Sequence, residues 1–205
     1  MKRQEDIGYL NEFHPDYAGF VFAGTKRRIT PEAAAALAEK LDSGIGKVGV
    51  FADEEPETVC RAVRLAGLDI VQLHGGEAAE YIEALRRLLP GMEIWKAVRV
   101  RDRETVLRAL TLPADRFLLD AFSPTEAGGT GRVADLGVIR SCRIEVPYFL
   151  AGGLNAGNLA TIVREMRPYG VDVSSGIETG GAKDRRKIET VMRILRGESG
   201  EVGSN

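Results

Sequence analysis

Tyr148-Phe149-Leu150-Ala151-Gly152-Gly153-Leu154-Asn155, followed by Gly170-Val171-Asp172-Val173-Ser174-Ser175-Gly176-Ile177-Glu178, decides the fold. Each stretch is a short, apolar, β-rich run that stops in glycine, and a helical segment separates the two. That is the pattern of consecutive parallel strands joined by a crossover helix. Such strand ends expose backbone N–H groups, with helix N-termini behind them, and groups of this kind hold phosphate. The two runs point to an enzyme acting on a phosphorylated small molecule.

The same alternation extends toward the N-terminus. Strands are predicted over 17–23, 47–52, 70–74, 93–100, 116–120, 147–151 and 170–174, each short and mostly apolar, as for parallel strands buried on both faces. Helices fall between them. Thr30 caps one, with Pro31 at its first position, and its body runs from Ala33 to Leu41. Others run from Glu55 to Ala66, Glu77 to Leu89 and Arg103 to Leu110. Two more are a helix from Ala156 to Met166 capped by Asn155, and one from Asp184 to Arg196.

A repeated βα unit predicts one parallel sheet. Seven strands separated by helices approach the eight of a (β/α)8 TIM barrel. Gln4 to Phe13 reads as a helix that should follow a strand absent from the sequence. The expected fold is therefore an N-terminally truncated α/β TIM barrel, with seven strands visible and the first missing. Residues 1–196 read as a single domain, and 197–205 as a polar, disordered tail.

With 205 residues, 44% of them hydrophobic and evenly spread, the chain can build one sizeable core. A net charge of −2 gives no reason to expect nucleic acid or an anionic membrane as partner. No run reaches the length of a membrane helix, and the start is not a signal peptide. Cys60 and Cys142 are far apart and lack metal-ligand spacing, so they read as thiols of a cytoplasmic protein. Two histidines, His14 and His74, are too few for a His-rich metal site, and no metal or cofactor is expected.

In a barrel, chemistry sits where the strands end. After the first visible strand comes Lys26-Arg27-Arg28, either a solvated basic loop or a guanidinium clamp on a carboxylate or phosphate. Asp120 directly follows Phe117-Leu118-Leu119. It is either a loop-capping residue or a general acid whose pKa is raised by apolar walls. Gly128-Gly129-Thr130-Gly131 suits close backbone approach or a moving lid. His74 reads as a structural histidine holding its loop. Lys96 and Asp172 are charges inside apolar strands; they either face the interior as a paired polar layer or reflect imperfect burial.

These motifs together resemble the phosphoribosylanthranilate isomerase family of tryptophan biosynthesis. The matching segments are Tyr17 to Phe22, Lys26 to Pro31, Val48 to Phe51, Val71 to Gly75, Leu118 to Asp120, Gly128 to Gly131, Ala151 to Asn155 and Arg167 to Glu178. The resemblance implies a (β/α)8 barrel and an Amadori rearrangement of N-(5-phosphoribosyl)anthranilate to 1-(2-carboxyphenylamino)-1-deoxyribulose 5-phosphate, with no cofactor and no metal. It assigns the general acid to Asp120, the anthranilate carboxylate to Arg27, and the phosphate to the turns Gly152-Gly153 and Ser175-Gly176. It leaves both monomer and homodimer open.

The family's general base is a cysteine ending the first strand, and that position would stand before Met1. Neither Cys60 nor Cys142 falls on it. The expectation is a native product that begins upstream. The alternative is a non-catalytic barrel that binds a phosphorylated ligand. A different phosphate-barrel enzyme, an epimerase or a thiamine-phosphate synthase, would need metal ligands or diphosphate-binding residues that the sequence does not offer.

Overall fold

The computed structural model describes residues 1–24, 26–121 and 136–198. The predicted glycine loop 128–131 lies outside the described residues, as does the predicted tail beyond Glu198. Seven strands form one parallel sheet in sequential order: β1 (Tyr17–Val21), β2 (Gly46–Phe51), β3 (Ile70–Leu73), β4 (Glu93–Arg99), β5 (Arg116–Asp120), β6 (Tyr148–Ala151) and β7 (Gly170–Val171). Helices α1 (Gln4–Phe13), α2 (Pro31–Ala38), α3 (Pro56–Ala66), α4 (Ala79–Leu88), α5 (Arg103–Ala109), α6 (Leu136–Ser141), α7 (Leu159–Met166) and α8 (Arg185–Leu195) alternate with them. A two-residue antiparallel hairpin, β8 (Glu178–Thr179) and β9 (Ala182–Lys183), precedes α8.

Side-chain alternation sorts each strand into two faces. Val71, Leu73, Ile94, Phe117, Leu119 and Leu150 point outward and pack beneath the helices with residues such as Val59, Ile82, Ile162 and Val191. Val48, Ile70, Trp95, Ala97, Leu118, Phe149 and Ala151 form a separate inner cluster. The inner rings show that the sheet is rolled. Tyr17 of β1 lies edge-on to Trp95 of β4 at 5.0 Å and to Phe149 of β6 at 5.9 Å, although none of these strands are neighbours. Trp95 and Phe149 stack at 4.5 Å. An open flat sheet would hold β1 and β6 roughly 24 Å apart, at about 4.8 Å per strand.

Although β1 and β7 do not pair, the helix layer meets around the gap between them. Arg185 of α8 pairs with Glu12 of α1, and Arg196 donates to the Phe13 carbonyl at 2.6 Å. On the other side of α1, Asn11 donates to the Lys40 carbonyl and accepts from the Asp42 amide. Asp6 anchors the first turn of α1. Its carboxylate accepts from the Lys2 and Arg3 amides, both at 3.1 Å, and from the Arg3 guanidinium at 2.7 and 3.0 Å.

Local signals explain most boundaries. Thr30 caps α2 by accepting from the Ala33 amide at 3.2 Å, with Pro31 at the first helical position. Asp184 caps α8 through the Arg186 and Lys187 amides. Two expectations need correction. Asn155 does not cap α7. Its side chain accepts from the Gly157 amide at 2.9 Å, an Asx turn, so the helix begins only at Leu159 behind Asn158. The last strand is also shorter than 170–174. Its ladder with β6 ends once Asp172 donates to the Leu150 carbonyl, after which Ser175–Ile177 winds into a 3₁₀ turn.

Candidate functional site

The inward parity that builds the aromatic floor continues upward and turns polar at the C-terminal rim. On β3, Ile70 points in, and the alternation carries Gln72 and then His74 onto the same face. Leu118 is inward on β5, which places Asp120 inward at the rim. Gly170 meets the Phe149 ring, so Asp172, two residues on, also faces the mouth.

These groups sense one another. The His74 ring lies 2.8 Å from the Gln72 side-chain nitrogen. Desolvation lowers the His74 pKa, and Lys96 works the same way; Asp172 and Asp120 oppose the shift without cancelling it. The imidazole is therefore neutral at pH 7. Asp172 is open to solvent along the mouth, yet the groups packed around it strip much of its hydration. Its carboxyl is held above the usual range, against the pull of His74, Lys183 and Arg27. Asp172 thus lies near His74 after β3, Asp120 ending β5, Arg27 in the loop after β1 and Lys183 of the β8–β9 hairpin.

The two predicted phosphate turns come together. Gly152 and Gly153 follow β6 with φ of 95° and 65°, a region that favours glycine. Gly176 packs directly on this loop. A Cβ there would overlap the Leu154 carbonyl oxygen and come within 2.9 Å of the Asn155 Cα. The Gly153 carbonyl accepts from the side-chain amides of both Asn155 and Asn158, at 3.1 and 3.0 Å, which fixes the orientation of the loop's peptides. Gly152, Gly153, Ser175 and Gly176 accordingly lie in two abutting turns at one end of the barrel.

Arg27 reaches the same end. Its Nε and Nη2 fork onto the Glu178 carboxylate at 3.2 and 2.9 Å. Lys183 donates to Glu178 Oε1, the oxygen that also accepts from Arg27 Nε, and to the Ser174 carbonyl, both at 3.0 Å. Burial works to raise the Glu178 pKa, but the hydrogen bonds from Arg27 and Lys183 prevail and keep it low, so Glu178 is ionised at neutral pH. The pair uses one edge of the guanidinium and leaves Nη1 outside the fork. Glu178 had no assigned role in the sequence reading. Its signal was its place directly after the Ser175-Gly176 turn.

Lys96 does not join an interior polar layer. It shares the outward face of Ile94 and Val98, and pairs with Glu77 at 2.9 Å beneath the loop that follows β3. Cys60 and Cys142 are buried, Cys60 within α3 and Cys142 just after α6. Clefts of about 220 and 510 Å³ lie between α6 and α7 and beside the β8–β9 hairpin. Neither contains the strand-end residues, so the chemistry of the rim, rather than these hollows, locates the site.

Fold and rim define a parallel β/α barrel with a carboxylate, an imidazole, a guanidinium and two abutting glycine turns gathered at the C-terminal strand ends. Residues 1–193 match the family model of N-(5'-phosphoribosyl)anthranilate isomerase, and the chain belongs to that family. It is 43% identical over 207 residues to the N-(5'-phosphoribosyl)anthranilate isomerase of Acetivibrio thermocellus, covering 98% of this chain and 95% of the relative. The crystal structure of the Thermotoga maritima phosphoribosyl anthranilate isomerase superposes with a TM-score of 0.86 at 33% identity, covering 96% of each chain. A phosphoribosyl anthranilate isomerase in complex with reduced 1-(o-carboxyphenylamino)-1-deoxyribulose 5-phosphate gives 0.83 at 32% identity, over 96% of this chain and 95% of that one. Among the described residues, no helix is long and apolar enough to cross a membrane.

Proposed function

We propose that this chain, through one domain spanning residues 1–196, is an isomerase of tryptophan biosynthesis that converts N-(5'-phosphoribosyl)anthranilate into 1-(2-carboxyphenylamino)-1-deoxyribulose 5-phosphate. The observation that carries this reading is the meeting of the abutting glycine turns, the Arg27 guanidinium and the inward Asp120 at one rim.

In this reading the amides of Gly152, Gly153, Ser175 and Gly176 hold the phosphate, as backbone nests do. Arg27, braced by Glu178, offers its remaining edge to the anthranilate carboxylate. With both ends of the ligand fixed, the ribose ring lies beneath Asp120. Protonation of the ring oxygen by Asp120 breaks its bond to C1, while the anthranilate nitrogen's lone pair forms the C1=N bond. Transfer of the C2 proton to water then gives an enol-amine, which takes up a proton at C1 and releases its enol proton to become the ketone product. No redox equivalent enters or leaves, because the aldose carbon is reduced as C2 is oxidised.

Calorimetric titration with the reduced product analogue tests the binding half, and loss of substrate fluorescence tests turnover. Saturable binding that inorganic phosphate competes away, together with turnover, is expected. Absence of binding would overturn the reading. Binding without turnover would favour a ligand-binding barrel that performs no chemistry.

A further inference from the structure

We propose that the buried Lys96–Glu77 pair is a positioning device for His74, holding the peptides on either side of that residue so that its ring stays in the mouth. The side chains of Lys96 and Glu77 are only 6% and 1% exposed. A buried ion pair contributes little net stability, and apolar residues of similar volume often replace one without loss. The targets of this pair's remaining hydrogen bonds are what set it apart.

The Lys96 ammonium donates to the Leu73 carbonyl at 3.2 Å and to the Gly75 carbonyl at 2.7 Å, besides Glu77 itself. Glu77 accepts from the Gly75 amide at 3.2 Å and from the Asp53 amide at 2.9 Å. Asp53 in turn accepts from the Gly76 amide at 2.6 Å. The His74 amide itself donates to the Phe51 carbonyl of β2 at 2.7 Å, while the Leu73 carbonyl before it and the Gly75 amide after it are both tied to one charged pair, which is braced against the loop following β2. Without such ties, the Gly75-Gly76 sequence would let the loop sample many conformations. Lys96 sits behind the sheet, on the helix side, so the pair touches no ligand; it acts through His74.

The groups facing His74 are Gln72 on its own strand, Lys96 from β4, Asp120 from β5, Asp172 beyond β7, and Glu77 from the loop after β3. The ligand-binding part of the test rests on the isomerase reading above; the histidine part does not. The variant is K96M/E77Q, which neutralises both partners and keeps a carbonyl acceptor for the Asp53 and Gly75 amides. Two quantities are read in the folded variant: the His74 ring titration by NMR, with exposed His14 as internal reference, and the affinity for the reduced product analogue.

The His74 midpoint should rise toward its ordinary value, His14 should be unmoved, and the analogue should bind ~10-fold more weakly, in line with the penalty for small misplacements in a site. A folded variant in which either reading matches the parent would overturn the proposal. If the double variant does not fold, Lys96→Arg, which keeps the charge and alters its geometry, takes its place with the same two readouts. Failure of the parent to bind the analogue would count against the isomerase reading alone, since the histidine titration still decides the positioning role.

Discussion

Gly176 rests on the peptide of Leu154, so the turn after β7 and the turn after β6 occupy positions that each depends on the other. A single methyl group separates this arrangement from a clash with main-chain atoms, which cannot rotate away. Gly176→Ala should therefore lower stability by about 1–3 kcal/mol, the usual cost of overpacking. It should also weaken inorganic phosphate and the reduced product analogue together. Denaturant unfolding and calorimetry on the same preparation check this. Unchanged phosphate affinity would remove these turns from the anion site.

Asp120→Asn keeps the size of the side chain and removes its ability to supply a proton at the ring oxygen. In a form of the chain that turns over substrate, kcat should fall by about 10²–10⁴, the range for a positioned general acid. Affinity for the reduced analogue, which has no ring to open, should stay within about threefold, since no proton is transferred on binding it. A preserved kcat would remove Asp120 from the chemistry.

Arg27→Ala should weaken the analogue by roughly tenfold, because Arg27 is about half exposed and a charge-assisted hydrogen bond there is screened by water. A ribulose phosphate ligand lacking the carboxylate should lose no affinity in the same variant. Equal losses for both ligands would mean that Arg27 serves only to hold Glu178.

The anchor of α1 carries a pH signature. Burial works to raise the Asp6 pKa, but hydrogen bonds from the Arg3 side chain and the Lys2 and Arg3 amides outweigh it, so the folded value lies below the ordinary one. A depressed carboxyl pKa contributes stability above the unfolded value, near 4, and that contribution disappears as pH falls through the folded value. Asp6→Asn should thus cost about 2 kcal/mol at pH 7. The gap between parent and variant should close as the pH is taken from neutral down through the folded value of Asp6 in acid. Parallel urea titrations at the two pH values would reveal it, and a pH-independent gap would refute the assignment.

The barrel was legible because each strand is a short apolar run and each helix carries its own punctuation, as Thr30-Pro31 does for α2. Strand parity was also present in the sequence. Counting by twos from Ile70 reaches His74, and from Leu118 reaches Asp120. Parity alone did not reveal which of these would meet, because that depends on the sheet rolling up. His74, read as structural, stands among Asp120 and Asp172 for this reason. Lys96 was misread for a related one. Its partner, Glu77, lies in a loop 19 residues away, and no local pattern marks such a pairing. Asn155 and Asn158 are both good cap residues by type, yet both turn their side-chain amides to the Gly153 carbonyl, and Asn158, at the cap position, makes no side-chain bond to the helix.

The aromatic floor of the barrel joins the two extremes of the chain. Tyr17 finds its ring partners on β4 and β6, which are made long after β1. Closing so long a loop costs chain entropy before any contact rewards it, and folds of this kind assemble slowly. A ribosome-bound chain that has emerged only as far as β5 would hold Tyr17 and Trp95 without the Phe149 ring that stacks on the latter. The interior would then set last, once β6 docks, and the rim above it could not take shape any earlier.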